Sequence, residues 1–373
     1  YVMTLDANLL VEQLSSKAAP ASLKKRLLAD GSYEELPQGT ANDPNACVFE
    51  KMIPGTEEAL SPATRGRASC LLLNSYKENA HPLIDVYEGK ISLDEFTAQL
   101  DDDDLIHLLG GQPNTSVANT YGYGNLPEYG VPNIMTADGP AGLRITPQCE
   151  VCTTAWPCAT LLASTWNPAL VERVGTAGAE EVKENNIAVW LTPAVNIHRN
   201  PLCGRNFEYY SEDPLLAGKM GAAMVRGIQS KHIAAAVKHF ACNNKETNRK
   251  DSDSRVSERA LREIYLKGFE ICVKKAQPLT VMSSYNLLNG LWASQNRELL
   301  TDILRGEWGF EGMVTTDWYT HAPQYTEIAA GNDVKMGCGD PAHTLKMMRE
   351  GKLNREDVKT SVKRLLEMIL KLA

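Results

Sequence analysis

From Val131 to the end of the chain, short apolar runs alternate with longer amphipathic stretches. This alternation is typical of β-α units, in which helices join parallel strands. The best-marked helix is the C-terminal one, because Asn354 can cap it and an apolar stripe runs from Val358 to Leu372. Strands are predicted at 132–136, 187–192, 233–238, 279–284 and 312–316, and the other helices at 168–185, 214–229, 257–275 and 296–307.

Polar side chains close several predicted strands, where core packing would not require them. Asp138 follows the first strand and Asp317 the last, and Lys238 and His239 follow the apolar part of the third. The C-terminal strand ends of a (β/α)8 barrel converge on one active face. An open doubly wound sheet usually carries a glycine-rich phosphate loop instead, and none occurs here. The sequence therefore predicts an α/β fold, a TIM-like (β/α)8 barrel that need not be regular, with an extended N-terminal segment.

The N-terminal part of the chain differs from the rest. Residues 18–60 mix Pro, Gly, Asn and Ala with short charged stretches, without a sustained period of 2 or 3.6. We predict that residues 1–90 are a linker or the remnant of a preceding domain, and that residues 91–373 form the catalytic barrel. The run 92–109 suits helices, and its four successive acids indicate a solvated helix start rather than a calcium loop.

Charge and composition argue against several classes of function. The chain has 38 Lys and Arg against 46 Asp and Glu, a net charge of −8 and no basic run. It therefore offers no electrostatic footprint for nucleic acid or anionic lipid. No run of 18 apolar residues predicts a membrane span. No signal peptide is visible, which predicts a cytoplasmic location, although a chain beginning at Tyr1 reads as a piece of a longer protein.

The nine cysteines indicate reduced, buried thiols rather than a disulfide framework. Cys242 and Cys272 lie within apolar or motif-like runs. Cys149, Cys152 and Cys158 form a cluster, but no fourth Cys or His follows at the spacing of a zinc site. The sequence therefore predicts no metal site.

The strongest candidate for chemistry is Asp317, which ends an apolar strand and is followed by Trp318. A glycosidase needs a carboxylate beneath the anomeric carbon of a sugar and an aromatic face that stacks on the ring. Asp138 adds an acceptor for a diol. Nearby donors should lower the pKa of Asp317 and keep it ionised, as suits a nucleophile. Each could instead be structural, as Arg205 would be if it paired with Glu208 or Glu212. These donors are Lys238, His239, Arg249, Arg205 and Arg144.

Six blocks of sequence resemble glycoside hydrolase family 3, the β-glucosidase-like family. They follow the family's order over about half of the chain: DGPAGLR at 138–144, GRNFEYYSEDP at 204–214, KHFACNNKETNR at 238–249, SERALREIYL at 257–266, MSSYN at 282–286 and VTTDW at 314–318. The resemblance implies a TIM-like barrel and retaining hydrolysis of β-linked sugars from the non-reducing end. It also implies that no metal or organic cofactor is needed.

The resemblance further implies roles for individual residues. Asp317 would be the catalytic nucleophile that forms a glycosyl-enzyme ester, and Asp138 would bind hydroxyls of the terminal sugar. The residues implied to line the same subsite are Arg144, Arg205, Lys238, His239, Arg249 and Tyr285, with Trp318 as part of its wall. The Pro-Gly-His-Gly run expected of members acting on N-acetylglucosamine does not follow Phe240, which favours the β-glucosidase or β-xylosidase branch.

Three departures from the family pattern stand out. Thr316 replaces the usual serine before the nucleophile, and Lys335 and Gly337 replace an acidic residue and a proline. The general acid/base of such β-glucosidases is usually a Glu of a second α/β sandwich domain, which this sequence lacks. We expect the reversed domain order known in the family, with the sandwich cut away or supplied by a separate chain. Glu246 lies in a family block, but a scaffold role is favoured for it.

Two other hypotheses remain open. The chain could be a sugar-binding or structural subunit that is inactive without its partner. It could also be an aldolase-type barrel that forms a Schiff base at Lys238. Under the leading hypothesis, the partners are a β-linked oligosaccharide or β-glucoside and the missing sandwich domain.

Overall fold

A computed structural model of the chain describes residues 25–27, 30–35, 76–146, 149 and 151–373. Most of the predicted linker or remnant at 1–90 thus lies outside the described residues. The two short strands β1 (Lys25–Leu27) and β2 (Tyr33–Glu35) pair antiparallel. The end of this segment packs on the body of the protein, because Leu83 is buried in the same apolar core as the helices that follow.

The remaining strands are short and mostly buried. They are β3 (Gly122–Leu126), β4 (Val131–Ala137), β5 (Val189–Trp190), β6 (Ala234–Phe240), β7 (Asp253–Ser254), β8 (Thr280–Ser283), β9 (Leu287–Leu288), β10 (Leu291–Trp292) and β11 (Met313–Thr316). The predicted strands correspond to β4, β5, β6, β8 and β11. The strand β3 was not predicted, because its sequence GYGNL lacks the run of β-branched residues that marks a strand.

The helices surround this strand framework. They are α1 (Leu83–Tyr87), α2 (Leu93–Ala98), α3 (Asp102–Leu108), α4 (Ala159–Ser164), α5 (Pro168–Glu184), α6 (Pro214–Gln229), α7 (Glu258–Ala260), α8 (Lys267–Ala276), α9 (Gln324–Ala330), α10 (Pro341–Arg349) and α11 (Arg355–Lys371). Short 3-10 helices lie at Pro127–Tyr129, Asn206–Glu208 and Ala293–Gln295, and π-helices at Leu261–Tyr265 and Glu298–Glu307. All five predicted helical segments are present. The one at 296–307 has π geometry, and the one at 257–275 is divided into α7, a π-helix and α8. The acid run 101–104 starts α3, with Asp101 as its N-cap.

The main sheet has the strand order β11-β8-β6-β5-β4-β3. Its β3 and β4 pair antiparallel, whereas β4, β5, β6, β8 and β11 are parallel neighbours. The α/β class and the parallel β-α units are therefore confirmed. A separate small sheet, β10-β9-β7, lies beside the end of β8.

The complete (β/α)8 barrel is confirmed only in part, because the regular strands that the structure describes form a curled partial barrel. Single bridges span the gap between its two edges. They join Thr315 to Val334, Gly110 to Lys335, and Gln112 to Gly122. Segments with so few paired residues carry no apolar run that would have marked them as strands in the sequence.

The two faces of the sheet pack into different apolar cores. Val237, Val281 and Val314 belong to the core beneath α5, α6 and α8. The alternate residues Ala236 and Met282 belong to the core that includes α2, α3 and α11. Because side chains alternate across a strand, burial on both faces explains the nearly continuous apolar runs.

Within the described ranges, no helix has the length and apolar character needed to cross a membrane. The same residues contain no group of His, Cys, Asp or Glu side chains arranged to hold a metal ion. Cys242 and Cys272 are buried as predicted, whereas Cys149 and Cys152 are exposed. The prediction of buried thiols was therefore wrong for these two.

Candidate active site

The C-terminal ends of the parallel strands converge on a cavity of about 450 Å³. This is the face of a β-α fold that usually carries chemistry. The structure brings all nine sequence-predicted site residues to the lining of this cavity: Asp138, Arg144, Arg205, Lys238, His239, Arg249, Tyr285, Asp317 and Trp318. The role of each remains a prediction.

On one side of the cavity, Asp138 binds two cations. Its carboxylate accepts a hydrogen bond from Lys238 Nζ at 2.6 Å and another from Arg144 Nη1 at 3.2 Å. Its backbone N–H donates to Asn119 Oδ1, which fixes the end of β4. Burial favours the neutral acid, but the Lys238 ammonium, the Gly139 backbone N–H and Arg144 together outweigh burial and lower the pKa of Asp138 to about 2. Asp138 is therefore a fixed anion that can accept hydrogen bonds from hydroxyl groups.

Strand β6 contributes two consecutive residues, Lys238 and His239, to the same cavity. In a regular strand their side chains would point to opposite faces. The pairing of β6 with β8 shifts register between Val237 and Phe240, which is where these two residues lie. This irregularity explains how both side chains reach the site.

The side chain of Asn196 fixes the position of His239 through contacts with its backbone and its ring. Asn196 Oδ1 accepts hydrogen bonds from the His239 backbone N–H at 2.8 Å and lies 3.1 Å from Nδ1. The imidazole therefore carries its proton on Nδ1, and Nε2 accepts from Arg205 Nη2 at 2.8 Å. Burial lowers the pKa of His239 well below its usual value, and Arg205 and Lys238 lower it further. His239 is neutral and turns an acceptor nitrogen towards the cavity.

A network of two arginines and two glutamates forms another part of the wall. Arg205 pairs with the buried Glu208, one of the two structural partners considered for it. Arg249 donates to Glu246 at 2.9 Å, and Arg205 lies 3.8 Å from the other oxygen of Glu246. Glu246 thus bridges the arginines, which supports the predicted scaffold role. The Arg249 guanidinium also lies 4.5 Å from the centre of the Tyr285 ring.

Asp317 follows β11 directly and lines the cavity. Its Oδ1 accepts from the Trp318 backbone N–H at 2.8 Å, and its Oδ2 lies 3.9 Å from His239 Nε2. Tyr285 lies beside the same carboxylate, and burial raises the pKa of Tyr285, so that its hydroxyl stays protonated. The acid therefore faces the basic neighbours that the sequence predicted for it.

The predicted lowering of the Asp317 pKa was wrong in direction. Burial raises the pKa of Asp317 above its ordinary value and exceeds the opposing effects of Arg205, the Trp318 N–H and Lys238. The reason is that these cations already have partners: Arg205 is paired with Glu208, and Lys238 with Asp138. A buried carboxyl group with a raised pKa can change its protonation state when a ligand enters the cavity.

Sequence reasoning missed several residues of the lining. Phe207, Glu208 and Met282 lie within family blocks and could have been found from their position there. No motif marks Asn196, which contacts His239 but is not part of the lining. The other lining residues that were not predicted are Asn119, Thr120, Tyr121 and Leu191.

An acid beside an indole, with guanidinium, ammonium and imidazole groups around it, can bind a polyhydroxylated ligand. Residues 125–368 match the family described as "Glycosyl hydrolase family 3 N terminal domain". The chain belongs to glycoside hydrolase family 3, which confirms the resemblance seen in its six sequence blocks.

Individual relatives agree with this assignment. "Beta-glucosidase A" of Butyrivibrio fibrisolvens is 55% identical over 364 residues, which cover 96% of this chain and 44% of that protein. "Exo-alpha-(1->6)-L-arabinopyranosidase" of Bifidobacterium longum is 49% identical over 216 residues, covering 56% of this chain and 28% of that protein. The solved structure of β-glucosidase 3B from Thermotoga neapolitana in complex with glucose is 46% identical, with a TM-score of 0.72 over 75% of this chain and 42% of that chain. The chain thus spans less than half the length of these relatives.

Proposed function

We propose that the protein is the nucleophile-bearing part of a retaining, exo-acting β-glucosidase that releases the terminal non-reducing sugar of a β-glucoside. The observation that carries this proposal is the position of Asp317. Its carboxylate directly follows β11 and lines the same cavity as the Tyr285 hydroxyl, the His239 imidazole and the Trp318 indole. The sugar specificity is inferred from the names of relatives that act on β-glucosides.

Sugar binding is assigned to the charged side of the cavity. The Asp138 carboxylate accepts hydrogen bonds from two adjacent hydroxyl groups, while Lys238 and Arg144 keep it ionised and offer their remaining N–H donors. The Trp318 side chain packs against an apolar face of the ring. Contacts to many hydroxyl groups favour hydrolysis when some of them strengthen as the ring flattens towards an oxocarbenium ion.

Hydrolysis then takes place in two displacements. An oxygen of Asp317 attacks C1 from the face opposite the leaving group, the bond from C1 to the leaving oxygen breaks, and that oxygen takes a proton from a general acid. A water molecule then attacks C1 and gives a proton to the same group acting as base, and the bond between C1 and Asp317 breaks. Asp317 must be ionised for the first step, and the Tyr285 hydroxyl orients it.

The general acid/base is assigned to a part of the protein outside this chain, a second α/β sandwich domain. The other carboxylates that the structure describes at or beside the cavity have cationic partners: Asp138 pairs with Lys238, and Glu208 and Glu246 pair with arginines. A retaining site needs a second carboxyl group about 5–5.5 Å from the nucleophile. Relatives more than twice as long as this chain leave ample sequence for such a domain.

Trapping with a mechanism-based 2-deoxy-2-fluoro-β-glucoside tests the proposal. Incubation of the full-length natural protein should add one fluorosugar, and mass spectrometry of its peptides should find it on Asp317. Asp317→Asn should bind glucose but remain unlabelled. Binding of glucose by the native protein without covalent labelling would favour the second candidate, a sugar-binding subunit.

The aldolase alternative is disfavoured by one contact. A Schiff base requires a neutral lysine amine, whereas Lys238 donates to the ionised Asp138 at 2.6 Å. Borohydride in the presence of carbonyl compounds should therefore leave Lys238 unmodified.

A further inference from the structure

The backbone on both sides of Asp317 is fixed by one neighbouring segment of the chain. The Thr316 N–H donates to the Val334 carbonyl at 2.9 Å, and the Tyr319 N–H donates to the Met336 carbonyl at 2.7 Å. The Met336 N–H in turn donates to Thr316 Oγ1 at 2.9 Å. Because these hydrogen bonds lie before and after Asp317, the segment sets the backbone from which the acid projects.

Lys335 belongs to the same segment, and its buried side chain reaches a later part of the loop that follows Asp317. Its ammonium donates to the Thr320 carbonyl at 3.1 Å, to Thr320 Oγ1 at 2.9 Å and to the Ala322 carbonyl at 2.8 Å. It also donates to Glu327 at 2.9 Å, and the other oxygen of Glu327 accepts from Thr320 Oγ1 at 2.7 Å. All three N–H donors of the ammonium are thus engaged, mostly by the loop.

Stability alone does not account for the buried pair of Lys335 and Glu327. Taking two charges out of water is costly, and apolar side chains of similar volume often stabilise a protein equally well or better. Lys335 also stands where the family pattern has an acidic residue, and an acid there would face the buried Glu327. An ammonium can donate to backbone carbonyls of the loop, which an apolar side chain cannot do. The pair is therefore best explained by the position that it gives to the loop.

The first residue of this loop, Trp318, contacts Asp317. Its N–H donates to Asp317 Oδ1 at 2.8 Å, and its side chain lines the cavity. Burial has the largest effect on the pKa of Asp317 and raises it, whereas the Trp318 N–H is one of the groups that lower it. Trp318 is only two residues from Thr320, so a loop released at Thr320 would move the N–H relative to the carboxylate.

We propose that Lys335, paired with Glu327, is a positioning residue that holds the Trp318 N–H against the carboxylate of Asp317. This inference rests on the proposed function, since it assumes that Asp317 is the nucleophile. Lys335 lies outside the cavity lining, so it acts through the loop and not on the substrate.

The test measures the pH profile of kcat/KM for 4-nitrophenyl β-glucoside in the full-length protein and in its double variant Lys335→Met/Glu327→Gln. This variant removes one charge of each sign, so that neither buried charge is left alone and the net charge is unchanged. We expect kcat/KM to fall about 10-fold or more, as for the loss of a hydrogen bond to a charged group. The acid limb should move to higher pH, because the carboxylate of Asp317 loses an N–H that lowers its pKa.

The substitutions leave the surroundings of Asp317 otherwise unchanged. The titratable and charged groups that face it are Arg205, Lys238, His239, Arg249, Lys250 and Tyr285. A second variant, Thr320→Val, removes only the hydroxyl shared by Lys335 and Glu327. It should move the acid limb in the same direction by a smaller amount, and it decides the question if the double variant does not fold.

The matched control is Arg355→Met/Asp102→Asn, which removes an ion pair between α11 and α3, outside the cavity lining. It should leave kcat/KM and the acid limb unchanged, and circular dichroism should verify that each variant is folded. A native acid limb in the folded Lys335→Met/Glu327→Gln protein, or in Thr320→Val if the former does not fold, would overturn the positioning role and leave the proposed function intact. If the native protein did not hydrolyse the glucoside, the proposed function would fail and the positioning role with it.

Discussion

Two buried carboxylates lie at opposite ends of β11 and have contrasting surroundings. Asp333, beside the start of the strand, accepts from the Val314 backbone N–H at 2.8 Å and from Ser361 Oγ at 2.9 Å. It also accepts from Arg305 at 2.7 Å and Arg364 at 3.0 Å. Its hydrogen-bonding capacity is thus filled by side chains from two helices and by the strand itself, so it fastens those elements together.

Asp317, at the other end of the same strand, has fewer partners. Its carboxylate accepts from one backbone N–H, that of Trp318, and the nearby His239 is 3.9 Å away. The rest of its surface faces the cavity. The contrast indicates that burial alone does not mark a reactive acid. An acid that is buried and incompletely satisfied beside a cavity is the better candidate.

Replacing Asp317 should produce the largest effect on activity. Asp317→Ala should lower kcat about 10⁴-fold or more, because no other group can form the covalent intermediate. Azide should restore turnover and give the α-glycosyl azide, since the small anion attacks from the face that Asp317 vacates. The exposed Asp251→Ala is the control and should retain full activity. A loss of stability without a loss of rate per folded molecule would contradict the assignment.

Replacing Asp333 should have the converse outcome. Asp333→Ala leaves Arg305 and Arg364 without their common anion. Removing one partner of a buried ion pair lowers the unfolding free energy by about 3–5 kcal/mol. Urea unfolding measures this loss. The kcat of the molecules that remain folded should stay within about 2-fold of the native value. A selective loss of kcat with native stability would abolish the distinction between the two acids.

The two cavity acids should respond to pH with opposite signs. The pKa of Asp138 is about 2 in the folded protein and 3.8 ordinarily, so its charge stabilises the fold above about pH 4 and this contribution is lost as the pH falls towards 2. Asp138→Asn should therefore lower the unfolding free energy at pH 7 by about 2 kcal/mol. The difference in unfolding free energy between Asp138→Asn and the native protein should shrink as the pH falls towards 2. A difference that does not change with pH would refute this prediction.

For Asp317 the sign is reversed, because a raised pKa means that the folded state binds the proton more tightly than the unfolded state does. Stability falls as the pH rises through that window, and Asp317→Asn should be more stable than the native protein at pH 7. The acid limb of kcat/KM should lie above the ordinary pKa of 3.8. Equal unfolding free energies of Asp317→Asn and the native protein at pH 7 would count against a raised pKa of Asp317.

The smallest expected effect on activity comes from replacing Asn196, which contacts His239 but does not line the cavity. Asn196→Ala removes the acceptor that fixes the His239 tautomer, and the loss of one such hydrogen bond costs about 1 kcal/mol, or about 5-fold in kcat/KM. Asn196→Asp should move the pH profile, because an anion beside Nδ1 favours the imidazolium form. A purely structural role would leave the profile where it is.

The sequence could predict those parts of the fold and site that have an apolar run or a family block. Strand β11 and Asp317 were predicted, because an apolar run ends in a carboxylate and a family block covers both. The segment near Gly110 was not, because single bridges leave no periodic pattern. Asn196 escaped notice because an isolated buried amide has no motif.

The direction of the Asp317 pKa was missed for a related physical reason. Sequence shows that cations are near but not that they are already neutralised. The sequence left the pairing of Arg205 with Glu208 as an alternative and gave no sign of the pair Lys238–Asp138. Both pairs form in the structure, and burial then outweighs the attraction of the two cations for Asp317. Charge balance at a site depends on which partner each cation contacts, which is a property of the fold.

A crystal structure of the full-length protein with glucose bound would test the central claim most directly. The account predicts the sugar in the cavity, with C1 about 3–3.5 Å from a carboxylate oxygen of Asp317 and two of its hydroxyl groups on Asp138. A sugar that binds with C1 turned away from Asp317, towards Asp138 or Glu246, would contradict it.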